Sequence, residues 1–131
     1  MRNIIKGGDF VMKIGYVHSS KTYKIAEQVK ALSRHGVDKM FLDRTDSLSL
    51  EGSEFSKMLK LLKPGYEVII YEFSCLYGDC SMVVEILKKL KNENISMKCL
   101  CEEFNDISEI LDFIENGIGK YDLDNYQDYV K

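Results

Sequence analysis

Apolar positions along this chain recur with two alternating periods. Lys13-Ile-Gly-Tyr-Val17 is a short β-branched and aromatic run, which predicts a strand. Ile25, Ala26, Val29 and Leu32 then recur at helical spacing, and Gly36 is placed to stop that helix. Lys39-Met-Phe-Leu42 predicts a second strand. Phe55, Met58, Leu59 and Leu62 mark a second helix, closed by Pro64-Gly65. Glu67-Val-Ile-Ile-Tyr71 is apolar on both faces, the pattern of a buried parallel strand. Met82, Val83, Ile86, Leu87 and Leu90 mark a third helix, and Ile95 to Cys101 alternates as a fourth strand. Ile107, Ile110, Leu111 and Ile114 mark a last helix, ending near Gly117. Strand–helix alternation at this spacing implies an α/β fold of three layers: a mostly parallel sheet of about four strands with helices on both faces.

The ends of the chain break the pattern. Met1 to Val11 has no clear period, and Lys6-Gly7-Gly8-Asp9 can be encoded as AAA GGA GGT GAT, a bacterial ribosome-binding sequence a few codons before Met12. Residues 1–11 are therefore read as an N-terminal extension or a translated leader, 12–117 as one α/β domain and 118–131 as an acidic C-terminal tail. From Asn105 to Lys131 seven acids face two lysines. Tyr121, Tyr126 and Tyr129 could anchor that stretch to a partner or to the domain itself; the alternative is a mobile tail.

Composition narrows the function classes. A chain of 131 residues, 45% hydrophobic and 30% charged, has the size and balance of one globular domain. Its net charge of −3 disfavours a bulk-electrostatic nucleic-acid binder. No apolar run approaches a membrane span and the first residues lack a signal-peptide core, so a cytoplasmic protein without a membrane partner is expected. Cys75, Cys80, Cys99 and Cys101 are then expected as reduced, mostly buried thiols. Their spacing is not a standard zinc pattern, and no metal or cofactor is expected. A redox role is a further reading, because Cys75 and Cys80 flank a helix start that would stabilise a thiolate.

In an open parallel sheet, chemistry collects at the carboxyl ends of the strands. After the first strand come His18, Ser19, Ser20, Lys21 and Thr22; after the second, Asp43, Arg44, Thr45 and Asp46; after the third, Glu72, Phe73, Ser74, Cys75 and Tyr77. The first loop has three readings. Hydroxyls and a lysine at a helix N-terminus can hold a phosphate. A serine there can be a nucleophile. Or Ser19, Ser20 and Thr22 only cap the helix.

Two families resemble this chain. The serine recombinases, resolvases and invertases, open their catalytic domain with Ile-Gly-Tyr-(Ala/Val)-Arg-(Val)-Ser, then a helix with Gln and Leu, then Gly and an acidic strand end. The matching residues are Ile14-Gly15-Tyr16-Val17-His18-Ser19-Ser20, then Glu27-Gln28-Val29-Lys30-Ala31-Leu32, then Gly36-Val37-Asp38-Lys39-Met40-Phe41. The order continues through Ser53-Glu54-Phe55, Leu61-Leu62-Lys63-Pro64-Gly65 and Val68 to Gly78, and covers roughly Met12 to Glu103.

This resemblance implies a resolvase-like fold and a relation to site-specific DNA recombination and integration. It places Ser20 at the position of the serine that attacks the DNA phosphodiester, with His18, Ser74 and Cys75 at neighbouring catalytic positions. Ser19, Lys21 and Thr22 would lie against phosphate or DNA. The arginines that stabilise charge in the family fall here on His18, Gly52, Cys75 and Gly78. Losing even one preorganised donor costs about 10²–10³ in rate. The stretch after Asn105 is also too short for the family's helix-turn-helix. The expectation is a serine-recombinase-type domain inactive in strand exchange, acting as a homodimer or as a regulator that pairs with an intact recombinase, with DNA a weak partner.

Flavodoxin is the second resemblance. Lys13 to Thr22 is similar to that family's phosphate loop, but Thr22 runs straight into Tyr23 and shortens the loop. It implies the alternative function, a small phosphate- or nucleotide-binding enzyme using the same residues.

Overall fold

The computed structural model describes residues 3–4, 10–20, 22–44, 52–72, 75 and 80–117. Asn3–Ile4 (β1) pairs antiparallel with Phe10–Val11 (β2) in a small ladder of its own. The main sheet holds Lys13–His18 (β3), Lys39–Asp43 (β4), Glu67–Ile70 (β5) and Ser96–Cys99 (β6). The strand order is β4-β3-β5-β6, and every neighbouring pair is parallel. The helices are Ile25–His35 (α1), Glu54–Leu61 (α2), Cys80–Asn92 (α3) and Ile107–Asp112 (α4), the last continued by a π-helical turn over Phe113–Gly117. Among the described residues, no helix is long and apolar enough to cross a membrane.

Parallel strands need covered faces, because each return helix must bury its apolar stripe on the sheet. Both faces of this sheet are covered. Ile14 and Tyr16 of β3, Val68 and Ile70 of β5, and Met97 and Cys99 of β6 form the larger core with Phe55, Met58, Val83, Leu87, Ile107, Ile110 and Ile114. The alternate residues Val17 and Ile69 meet Leu32 of α1 in a smaller cluster on the opposite face. The near-continuous apolar runs of β3 and β5 are the sequence trace of this double covering.

Glycine sets how closely α1 approaches. A Cβ on Gly15 would stand 2.9 Å from Leu32 Cδ2 and 3.2 Å from Val37 Cγ1. Only a residue without a side chain lets the helix lie this near the central strand. At the other end of α1, Gly36 adopts φ 96° and its N–H donates to the Leu32 carbonyl at 3.1 Å, the left-handed ending its position predicts.

Strand and helix identities follow the apolar pattern, with differences of a few residues at the boundaries. α3 begins at Cys80, two residues before its first periodic residue, Met82. α1 differs more. Its N-cap is Lys24, and Glu27 Oε1 accepts from the Lys24 N–H at 3.3 Å. Ser19, Ser20 and Thr22 therefore do not cap the helix.

The order reverses at β3. The chain moves to one side to build β4, then crosses back to place β5 on the other. The crevice between the carboxyl ends of β3 and β5 is the topological switch point of the sheet.

Candidate functional site at the carboxyl edge

The end of β4 is a capping device. Asp43 is 4% exposed. Its Oδ2 accepts from the Tyr16 hydroxyl at 2.7 Å and from the Phe55 N–H at 3.0 Å, and its Oδ1 accepts from the Glu54 N–H at 2.9 Å. Ser53, fully buried, accepts from the Ser56 N–H at 3.0 Å. Two side chains thus satisfy the N–H groups that the first turn of α2 cannot bond internally. A buried carboxylate is tolerable only when its lone pairs are met in this way. Asp43 is part of the scaffold that fixes the site, rather than a reactive acid.

The end of β3 carries the residues expected to react. His18 is 6% exposed and lies over Tyr16, the ring centroids 6.4 Å apart and the planes 18° from parallel. Its backbone carbonyl accepts from Gln28 Nε2 at 2.8 Å, and the same amide nitrogen donates to the Tyr23 carbonyl at 3.0 Å. One glutamine side chain therefore pins both ends of the intervening loop. Gln28 is fully buried in α1, and no partner is recorded for its Oε1 among the described residues. The periodic reading of α1 gave no reason to single it out. A polar residue on an apolar helical face was the available signal.

Ser20 lies inside this pinned loop, with Ser19 beside it, the Ser19 N–H donating to the Asp43 carbonyl at 3.2 Å. Ser20 Oγ accepts from the Thr22 N–H at 3.0 Å and from the Tyr23 N–H at 3.2 Å. The hydroxyl closes a turn several residues before α1 begins at Ile25. Those two N–H groups are spent on the protein's own serine, so they do not form the phosphate cradle that the flavodoxin-like reading requires. Thr22 itself is exposed. Lys21 and Ser74 lie outside the described residues.

The end of β5 completes the edge. Cys75 is buried, and its N–H donates to the Glu72 carbonyl at 2.8 Å. The Tyr23 hydroxyl donates to Glu72 Oε2 at 2.6 Å, and the Tyr23 ring meets Tyr71 edge-on at 4.8 Å. The hydrogen bond to Glu72, with help from burial, holds the Tyr23 phenol well above its ordinary range. The Tyr71 phenol, hydrogen-bonded to the Cys101 thiol, is pushed up to about 12. Burial raises both the Cys99 and the Cys101 thiol, with Glu102 adding to the rise at Cys99. Thiols held protonated in this way are poor nucleophiles and poor metal ligands at neutral pH. Among the described residues no group of three or more His, Cys, Asp or Glu side chains could hold a metal ion.

The fold thus gathers His18, Ser19, Ser20, Asp43, Glu72 and Cys75 at one edge. The chain has three arginines, Arg2, Arg34 and Arg44. Arg34 sits in the last turn of α1, at the far end of the domain, while Arg44 is exposed directly after β4.

Comparison with known proteins agrees with the fold. The family model described as "Resolvase, N terminal domain" matches residues 14–121. The N-terminal catalytic domain of TP901-1 integrase is similar in structure, with a TM-score of 0.60 and 17% sequence identity, over 83% of this chain and 95% of that one. A resolvase family site-specific recombinase from Streptococcus pneumoniae is similar with a TM-score of 0.53 and 13% identity, over 85% of this chain and 92% of that one. No curated protein sequence matches the chain.

Proposed function

Since this chain belongs to the resolvase family and is a domain related to site-specific recombination, we propose that it has given up strand exchange and acts through protein contacts, as a homodimer or as a regulator of an intact recombinase. The observation that carries this reading is the state of Ser20. Its hydroxyl is an acceptor for two backbone N–H groups of its own loop. A serine that attacks a phosphodiester must lose its proton and face a phosphate whose growing charge is neutralised by fixed donors. Here the neighbour two residues before Ser20 is a buried histidine. Arg44 is the arginine at this edge among the described residues. A histidine lacks the two-pronged geometry with which guanidinium holds a phosphate.

Ser20, with His18, Ser74 and Cys75, keeps the catalytic positions in outline. Ser19, Lys21 and Thr22 keep the place where phosphate would lie. DNA is a weak partner for this chain, since its net charge of −3 gives no overall attraction to a polyanion.

A supercoiled plasmid carrying paired recombination sites tests the proposal. No covalent protein–DNA adduct is expected, and solution mass is expected to show a dimer or, with a full-length recombinase present, a mixed complex. An adduct that Ser20→Ala abolishes overturns it.

A further inference from the structure

The two edges of the main sheet are finished differently. On the β6 side, the Ser96 and Leu100 N–H groups donate to the Tyr66 and Ile70 carbonyls, so the main-chain groups of Met97 and Cys99 point away from β5. Met97 is 3% exposed and Cys99 2%, so that edge is covered. On the β4 side, the Asp43 carbonyl accepts from the Ser19 N–H, and Phe41 lies beside Tyr16 in register. Lys39, Phe41 and Asp43 therefore turn their main-chain groups to β3, while those of Met40 and Leu42 point outward. Both residues are half-buried. Among the described residues, nothing bonds their outward N–H and C=O groups. Their side chains pack at the rim of the cluster of Val17, Leu32 and Ile69, with Val29 and Val37. α1 lies chiefly over β3 and β5, which leaves this rim open. An edge of this kind is a template for a further strand, and no proline or charge interrupts it between Lys39 and Asp43.

We propose that β4 is the surface through which two copies of this chain pair, strand against strand and antiparallel, about a two-fold axis through Phe41. The register follows from complementarity. With Phe41 on the axis, Met40 of each copy faces Leu42 of the other, and each such pair exchanges both of its N–H···O=C bonds. The outward groups of both residues are then satisfied, and their side chains meet apolar to apolar. On the other face Phe41 meets Phe41 of the second copy. Lys39, whose ammonium lies 5.3 Å from the Phe41 ring centre, falls opposite Asp43. Centring on Met40 would set Asp38 against Leu42, and centring on Leu42 would set Met40 against Arg44, so charge and hydrophobicity both select the Phe41 axis. A two-fold contact of this type uses one patch on both copies and closes at the dimer. The pairing rests on the homodimer reading above and names the surface that reading needs.

Sedimentation equilibrium of the full chain over a concentration series tests the pairing. A concentration-dependent dimer is expected. Leu42→Pro removes an outward N–H that the β3 ladder does not use. Met40→Lys places a charge on the edge and keeps the strand. Each acts twice in a two-fold contact and is expected to weaken the dimer by about tenfold or more. Lys98→Ala, on β6, is expected to leave it unchanged. The register has its own readout. Residues 40 and 42 of opposite copies would stand about 5.5 Å apart at Cα, within reach of a disulfide. In a Cys101→Ser background, a mixture of Met40→Cys and Leu42→Cys chains is expected to cross-link on mild oxidation far more than either chain alone. Equal cross-linking of the separate chains overturns the register. A dimer that both Leu42→Pro and Met40→Lys leave intact overturns the surface while the homodimer reading stands. A chain monomeric at every concentration overturns both. An adduct in the plasmid assay would refute the loss of strand exchange and leave the association untouched.

Discussion

Two strand ends lie side by side at one edge of this sheet, His18 opposite Asp43 in register, and they put polar residues to opposite uses. At the end of β4, Asp43 is buried and collects three donors from two other elements. At the end of β3, Ser20 collects two donors from its own loop. Position at the carboxyl edge does not make a residue functional. The partners its polar atoms keep decide whether it is scaffold, reactive group or neither. Asp43 is scaffold. The Ser20 hydroxyl serves a turn of its own loop.

The contrast predicts a ranking of stability losses. Asp43→Ala should be the most damaging, since it leaves the Tyr16 hydroxyl and two backbone N–H groups without their acceptor; about 3 kcal/mol or more is expected in denaturant unfolding. A loss below about 1 kcal/mol would break the distinction between the two strand ends. Ser53→Ala removes the second cap of α2 and should cost about 1 kcal/mol by the same measurement. Ser20→Ala should cost less than Ser53→Ala, because its bonds are local and partly solvated; the reverse order would make the β3 loop the more structural of the two.

The smallest effect is expected at the opposite end of α1. Burial lowers the His35 pKa, and Lys13 and Lys98 add to the fall. The unfolded chain therefore binds this proton more readily than the folded one. Stability from the neutral ring is fully present above the unfolded value of about 6.5 and is lost as pH falls below it. His35→Gln should flatten the dependence of the unfolding midpoint on pH between about 5 and 7. An unchanged slope would show that His35 does not carry it.

Much of the fold was readable from particular residues. The β-branched and aromatic run at Lys13–Val17 announced a strand, the both-faces apolar run at Glu67–Tyr71 a buried parallel strand, and Gly36 the end of α1. The edge that carries the site was readable too, because strand ends in such a sheet are set by topology. The partnerships at that edge were not. Asp43 meets Tyr16 from 27 positions away and Glu54 from 11, and Tyr23 meets Glu72 from 49. None of these separations has a period. The serine-rich loop read equally well as cap, cradle or nucleophile, because a hydroxyl serves all three and only its actual donors choose among them.

The sequence by itself determined the α/β alternation and the resolvase kinship, since these depend on residue type and order along one dimension. Tertiary structure decided which hydroxyl, carboxylate and amide meet. It made Asp43 a cap, turned Ser20 toward its own backbone, and set Tyr23 against Glu72 across the crevice. Hydrogen bonds reach about 3 Å and depend on direction, so pairings between distant segments are fixed only when the sheet and its helices have packed.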